Sequence, residues 1–349
     1  MKKNGIREIA RLASVSIGTV GRALLGRKGV SESTRERILS IAQAIGYEPN
    51  LAARALSRGR TPIRIGVCIP RELHYYWDQL RDGILDEADR FEHLGIELNL
   101  RPTEGLGVAE VEKLSQLVAD GVQAVIVAPG DSTGLAPVIN GAESKGIRVL
   151  CVDSDVQASC RSTVVSVDAE VSGKSAAELM GRFVGPDAEV AMITGMQSVE
   201  LHRKKATGFC ELFPQICQGG RLVEIVDTLE DEDDAMRKCF GLLERWKSLS
   251  GIYVRTGNCL PICRALSVLG LSGKIHLIAS DLFREMVPYF ENGTIQASVN
   301  GRPYMQGQMA MRLLVDHLLR GHSLPPHYRL NPQIVLRSNL RLFREVRPA

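Results

Sequence analysis

No run in this 349-residue chain approaches the about 18 consecutive apolar residues that a bilayer-spanning helix requires, so no membrane span is expected. The charged, polar amino end lacks the pattern of a signal peptide, which points to a cytoplasmic protein. The eight cysteines (68, 151, 160, 210, 217, 239, 259 and 263) are scattered. Only Cys259 and Cys263 stand at helical spacing, and no His or Cys pair lies nearby to complete a zinc site. Buried, reduced thiols and no metal are the expectation. The chain also lacks a Gly-x-Gly-x-x-Gly turn, a P-loop, a His-Glu-x-x-His helix and a Gly-x-Ser-x-Gly elbow. Nothing there calls for a cofactor or for turnover, so an enzyme on a doubly wound fold is the weakest of the functional alternatives. No heptad repeat marks the last residues, Leu340–Ala349, which favours a homodimer over a tetramer.

The charge that is present is unevenly placed. Residues 1–62 hold twelve Lys/Arg against four Asp/Glu, although the whole chain carries only +3. A basic head on a slightly acidic body suits a DNA-binding module joined to a domain that does not bind DNA. Within the head, Ile6, Ile9, Ala10 and Ala13 fall at i, i+3, i+4 and i+7 and predict one buried helix face. After a three-residue turn, Ser16 is placed to cap a second helix, with Val15 and Val20 in the positions of a hydrophobic staple. That is the build of a helix-turn-helix, whose second helix enters the major groove. Ile17, Gly18, Thr19 and Arg22 would face outward. A third helix, capped by Ser31, carries Ile38, Ile41, Ala42 and Ile45 on one face and stops at Gly46. A short helical stretch, 50–56, and a linker, 57–62, follow; a helix so short forms only when something orders it.

From Ile63 onward, apolar runs such as Ile65–Ile69, Val122–Ala128, Val190–Ile193 and Ile275–Ala279 alternate with longer helical patterns. Repeated βαβ units with continuous apolar strands predict parallel sheets covered on both faces. The strands divide near residue 165 into two sets of similar size. The expected fold is therefore α/β: a small all-α head plus two doubly wound parallel-sheet lobes, with ligands beyond the carboxyl ends of the strands. The expected boundaries are 1–48 for the head and 49–62 for hinge and linker. The first lobe takes 63–165 with about 293–325, and the second takes 166–292 with about 326–343.

The run VSIGTVGRALLGRKGVSESTRERILSIAQAIGYEPNLAARALSRG resembles the lactose/galactose-repressor family of bacterial transcription regulators, with turn, loop, third helix and hinge all in order. Gly21 departs from the Ser or Asp common in the family, and a glycine inside a helix costs about 1 kcal/mol relative to alanine. The resemblance implies that Ser16, Ile17, Gly18, Thr19, Arg22, Asn50, Arg54 and Leu56 contact a pseudo-palindromic operator in double-stranded DNA. Ile17 and Gly18, the base-reading pair by position, make no bidentate hydrogen bond, so discrimination there rests on thymine methyls or close approach. Arg22 serves either a guanine or a phosphate. Leu56 matches the hinge leucine that wedges into the minor groove, or it packs two hinges of a dimer together.

The body resembles the sugar-binding domain that this family shares with periplasmic binding proteins of type I. On that basis Tyr76 and Trp77 are the aromatic pair for a sugar ring. Asp153 and Asp155 accept hydrogen bonds from adjacent hydroxyls, Arg161 and Arg203 clamp ring or acidic oxygens, and Asn258 and Asp281 complete the set. Arg302, where many relatives carry Gln nearby, hints at an acidic or phosphorylated sugar. The implied protein is a repressor whose operator affinity is set by a sugar-like effector between two lobes. The alternative reading, a solute-binding receptor without DNA chemistry, would call for a signal peptide and no basic head.

Overall fold

The computed structural model describes residues 5–24, 28–47, 62–197 and 199–343. Of the expected DNA-contacting residues, Asn50, Arg54 and Leu56 lie outside the described residues, as does the expected hinge helix.

The head is built from α1 (Ile6–Leu12), α2 (Ile17–Leu24) and α3 (Glu32–Ala44). Its apolar stripes meet: Ile9, Ala10 and Ala13 pack with Val20 and Ala23 of α2 and with Ile38 and Ala42 of α3. Ser14 adopts a left-handed conformation (φ 51°), which lets the chain reverse between α1 and α2 without glycine. Two hydroxyls cap helix starts: Ser16 Oγ accepts from Thr19 N at 3.1 Å, and Ser31 Oγ accepts from Thr34 N at 3.4 Å.

The body contains two six-stranded sheets. Running along the chain, β1 (Ile63–Cys68), α4 (His74–Asp89), β2 (Ile96–Leu100), α5 (Glu110–Ala119), β3 (Ala124–Val127), α6 (Ser132–Ser144), β4 (Arg148–Val152) and β5 (Thr163–Val167) form most of the first lobe. Then α7 (Ala169–Phe183), β6 (Glu189–Thr194), α8 (Glu200–Ile216), β7 (Arg221–Asp227), α9 (Glu232–Arg245), β8 (Leu249–Val254), α10 (Leu260–Val268), β9 (His276–Ser280) and α11 (Val287–Glu291) build the second. The last elements are β10 (Ile295–Asn300), α12 (Pro303–Val315), β11 (His327–Leu330) and β12 (Gln333–Val335). The sheet orders are β11-β5-β4-β3-β1-β2 and β12-β10-β9-β8-β6-β7, the same winding twice. All pairings are parallel except β10 with β12. Central strands such as β3 are buried along their whole length, as expected where helices cover both faces.

The expected division of the carboxyl-terminal part is corrected here. Residues 293–325 do not fall together in the first lobe: β10 pairs with β9 in the second sheet, and the chain crosses back only after it. Nor does 326–343 belong wholly to the second lobe, because β11 pairs with β5 in the first sheet. The chain thus crosses between lobes three times, after β5, after β10 and after β11. Each crossing strand is short and begins or ends in polar residues, which is why apolar periodicity did not separate them.

Glycines set the helix layer in both lobes. A Cβ on Gly83 (α4) would lie 2.0 Å from Tyr304 O of α12, and one on Gly307 would lie 2.0 Å from Leu80 O. In the second lobe a Cβ on Gly173 (α7) would lie 2.0 Å from Lys205 O, and one on Gly208 (α8) would lie 2.2 Å from Glu170 O. Each lobe therefore pins the helix that follows a crossover directly against the helix that follows its own first strand.

Candidate effector cleft and DNA-contacting helix

On the head, the amino end of α2 presents Ser16, Ile17, Gly18 and Arg22 to solvent, with Thr19 half-buried. Ile17 is 49% exposed, an apolar side chain held outward beside a row of polar ones. The hydroxyls of Ser16 and Thr19 lie 2.9 Å apart, and Arg22 Nη2 donates to Thr19 Oγ1 at 3.5 Å. These residues share one exposed helix face whose first turn offers backbone N–H groups, an arrangement suited to phosphate and base edges.

In the body, the carboxyl ends of both sheets converge on a cavity of about 30 Å³, room for little more than one or two waters. Glu72, Tyr76, Trp77 and Asp153 line it from the first lobe, and His202, Lys205, Glu230, Thr256 and Asp281 from the second. The lobes are drawn together around it. Tyr75 stacks on Phe283 across the cleft at 4.2 Å, Gln79 Nε2 donates to Leu282 O at 2.9 Å, and Gln157 Nε2 donates to Glu200 Oε1 at 2.7 Å.

Asp153 follows β4 and Asp281 follows β9, equivalent strands of the two sheets, and both have left-handed backbones (φ 68° and 65°). They are 6% and 4% exposed. Tyr76 Oη donates to Asp153 Oδ1 at 2.5 Å, and Gly301 N donates to Asp281 Oδ1 at 3.0 Å. Burial raises the Asp153 carboxyl to about 6 against the opposing pull of Tyr76 and Lys205. Burial raises Asp281 as well, opposed by Lys205 and by the Gly301 amide. Glu230, in the loop after β7, accepts from Thr256 Oγ1 at 2.6 and 2.8 Å, and burial raises it to about 7. His202 is pushed down to about 3, first by burial and then by Lys205, so its ring is neutral at physiological pH.

Buried carboxylates with few protein donors at the mouths of two parallel sheets are built to accept hydrogen bonds from a polyhydroxylated guest. Residues 65–322 match the model of the periplasmic binding protein domain, and residues 5–50 match that of the bacterial regulatory proteins of the lacI family. The chain belongs to the periplasmic binding protein domain family by its body, and its head matches the lacI family of bacterial regulatory proteins. Catabolite control protein A of Priestia megaterium is 25% identical over 324 residues, covering 90% of this chain and 92% of that protein. The ribose import binding protein of Bacillus subtilis is 22% identical, covering 82% of this chain and 92% of its own. Among solved structures, a solute-binding protein from Burkholderia graminis in complex with D-arabinose superposes with a TM-score of 0.75 at 22% identity. It covers 80% of this chain and 97% of its own, and it establishes the fold. With that head the chain is a DNA-binding regulator, and the relatives named here are a regulator and sugar-binding proteins. Among the described residues, no helix is long and apolar enough to cross a membrane.

The residues anticipated for the effector are not all in the cleft. Tyr76, Trp77, Asp153 and Asp281 line it, while Asn258 is fully buried beside it, its Oδ1 accepting from Tyr75 Oη at 3.4 Å. Arg203 is not there. It lies on the exposed face of α8, and Lys205, two residues on, occupies the inward position. Helical spacing explains the shift: Leu201, Lys205, Gly208 and Phe209 form the buried face, so an inward residue belongs at 205. Asp155 and Arg161 are also displaced, being committed to each other through Nε–Oδ1 at 2.5 Å and Nη2–Oδ2 at 2.7 Å. Burial alone would raise Asp155, but the Arg161 guanidinium offsets it and leaves the carboxyl below its usual range. His327 Nε2 joins them, 3.4 Å from Asp155 Oδ2, so the trio ties the loop after β4 to β11. Arg302 does not line the cavity either. Glu230, His202 and Thr256 escaped the sequence reading. Glu230 sits in the acidic run 230–234, which reads as a solvated helix start, and only the fold turns its first carboxylate inward.

Proposed function

We propose that this chain represses transcription by binding a pseudo-palindromic operator as a homodimer, and that a small polyhydroxylated effector held between the two lobes controls its operator affinity. The observation that carries this reading is the pair Asp153 and Asp281. Two buried carboxylates, one from each lobe at equivalent strand ends, face a common cavity in a chain whose head is a lacI-family helix-turn-helix. The exposed face Ser16, Ile17, Gly18, Thr19 and Arg22 supplies the DNA contacts. Asp281 supplies the link to lobe motion, since its carboxylate also holds Gly301 N in the crossover after β10. A ligand that competes for Asp281 changes the restraint on that crossover, and a coupling of about 1–3 kcal/mol suffices for regulation. The setting is the cytoplasm.

The test has two parts. Selection from random duplex DNA should enrich one inverted-repeat sequence, and anisotropy on that sequence should show affinity falling steeply with salt. A thermal-shift screen of sugars and polyols should give a hit that weakens or strengthens the same DNA complex and is lost in D153N and D281N. Enrichment of no sequence, or a hit indifferent to both substitutions, overturns the reading.

A further inference from the structure

The cavity is unusually acid-rich for a site that must close over a ligand. Four carboxyls line it, Glu72, Asp153, Glu230 and Asp281, against one fixed cation, Lys205. Lys205 Nζ donates to Arg255 O at 3.3 Å, so the hydrogen bond it makes is to backbone and not to a lining carboxylate. Arg255 is itself buried, but its Nη1 donates to His202 O at 2.5 Å rather than to the cavity. His202 adds no charge, its Nε2 lying 3.8 Å from Glu230 Oε1 with the ring neutral.

Glu230 is held in this place at some expense. It and Leu229 are consecutive non-glycine residues in the left-handed region (φ 61° and 51°), a strain that persists only where the surroundings impose it. A Cβ at Gly195 would meet the Glu230 carboxylate, so the glycine leaves open the space this inward carboxylate occupies. At 8% exposure, the protein donor it has is the Thr256 hydroxyl, which supplies one proton for two oxygens. A neutral sugar would leave this carboxylate short of positive charge, and an acidic or phosphorylated one would add to the repulsion.

We propose that the effector carries a protonated amine as well as hydroxyls, as an amino sugar or aminated polyol does, and that Glu230 receives the ammonium while Asp153 and Asp281 receive hydroxyls. This rests on the reading of the cleft as an effector site. Glu230 is then the residue that determines specificity for charge, and the hint of an acidic sugar from Arg302 is reversed.

The experiment is calorimetric titration of the full chain with matched sets: glucosamine, galactosamine, mannosamine and amino-deoxy alditols, their hydroxyl parents, and the corresponding sugar phosphates. An amine should bind at least about tenfold more tightly than its parent, the scale of one charge-assisted hydrogen bond. E230Q should erase that preference by lowering the amine's affinity at least about tenfold. In the unaltered chain, affinity for the amine should pass through a maximum with pH, rising as Glu230 ionises and falling as the ligand amine deprotonates. The neutral parent should show no such maximum. A neutral sugar bound most tightly, with E230Q indifferent, overturns the proposal and leaves the sugar cleft standing; so does tighter binding of a phosphate. Binding of no member in any set overturns both.

Discussion

Asp153 and Asp281 make the same backbone hydrogen bond in the two lobes: Asp153 N donates to Val165 O at 2.9 Å, and Asp281 N donates to Val299 O at 3.0 Å. Each thereby closes its strand against the strand that leads into a crossover. The left-handed turn that follows aims a carboxylate at the cavity instead of into the sheet. The same local device, used twice, places one acid in each lobe, and closure of the lobes brings them to one cavity.

Neutralising these acids should separate stability from binding. D153N and E230Q remove carboxyls that burial disfavours, so the unliganded protein should melt at the same temperature as the parent or slightly higher. Ligand affinity should meanwhile fall by about tenfold or more, since hydrogen bonds to charged groups contribute about 1.5–3 kcal/mol. Paired calorimetry and thermal denaturation measure both; a variant that loses stability and keeps its ligand contradicts the assignment.

The pH dependence follows from the same groups. Glu230, raised from 4.5 to about 7, binds more protons folded than unfolded across that interval, so its contribution to stability falls as pH rises through it. Asp153, raised from 3.8 to about 6, acts in the same direction. His202, lowered from 6.5 to about 3, opposes them, adding stability as pH climbs over that range. The difference in melting temperature between E230Q and the parent should therefore widen from about pH 5.5 to about pH 7.5. A constant difference would place the Glu230 carboxyl in water.

Lys205 and Arg203 make a paired test of the α8 register. K205M should change ligand affinity by at least about tenfold, because it removes the cation that faces the lining acids. R203A, on the exposed face, should change it by no more than about twofold, within the scatter of surface substitutions. The reverse ranking in a titration would restore Arg203 to the site.

The glycine crossings predict large stability losses from small changes. G83A and G173A each force a methyl into a backbone carbonyl 2.0 Å away and should destabilise the body by about 1–3 kcal/mol or more. G141A on α6 has nothing within 4 Å of the new methyl and should instead stabilise by about 0.5–1 kcal/mol. Denaturant melts of the three variants decide the matter.

In the head, G21A should stabilise α2 by up to about 1 kcal/mol, because its Cβ enters open space. S16A should cost about 1 kcal/mol by removing the side-chain acceptor that caps α2 at the Thr19 amide. Hydrogen exchange over residues 5–47 reads both. R22A resolves the two roles left open for that side chain: a phosphate contact lowers the salt slope by about one, and a guanine contact relaxes preference at one base.

The head was legible because its spacing is local. Ile9, Val20 and Ile38 each sit on a 3.6-residue stripe, and a short helix can bury a stripe in only one way. The strand cores were legible for a similar reason, since β3 and β4 are continuous apolar runs. Lys205 was within reach, because the Leu201–Phe209 periodicity marks its face, yet the nearby arginine drew the assignment two positions away. Glu230 was not. Its neighbours, Asp231, Glu232, Asp233 and Asp234, form a helix start rich in acids, and nothing in that run distinguishes the one residue that turns inward.

The sequence by itself determined the two parts of this protein: a basic helix-turn-helix head and paired α/β lobes. Both follow from short-range periodicity and charge, which a chain carries whatever its final shape. The tertiary structure decided which acids face each other. Asp153, Glu230 and Asp281 stand far apart along the chain, and only the repeated winding of two sheets and three crossings between them bring their carboxyls to one cavity. That convergence depends on contacts such as Gly83 against Tyr304 and Gly195 beneath Glu230, where the absence of a side chain matters and local pattern carries no sign of it.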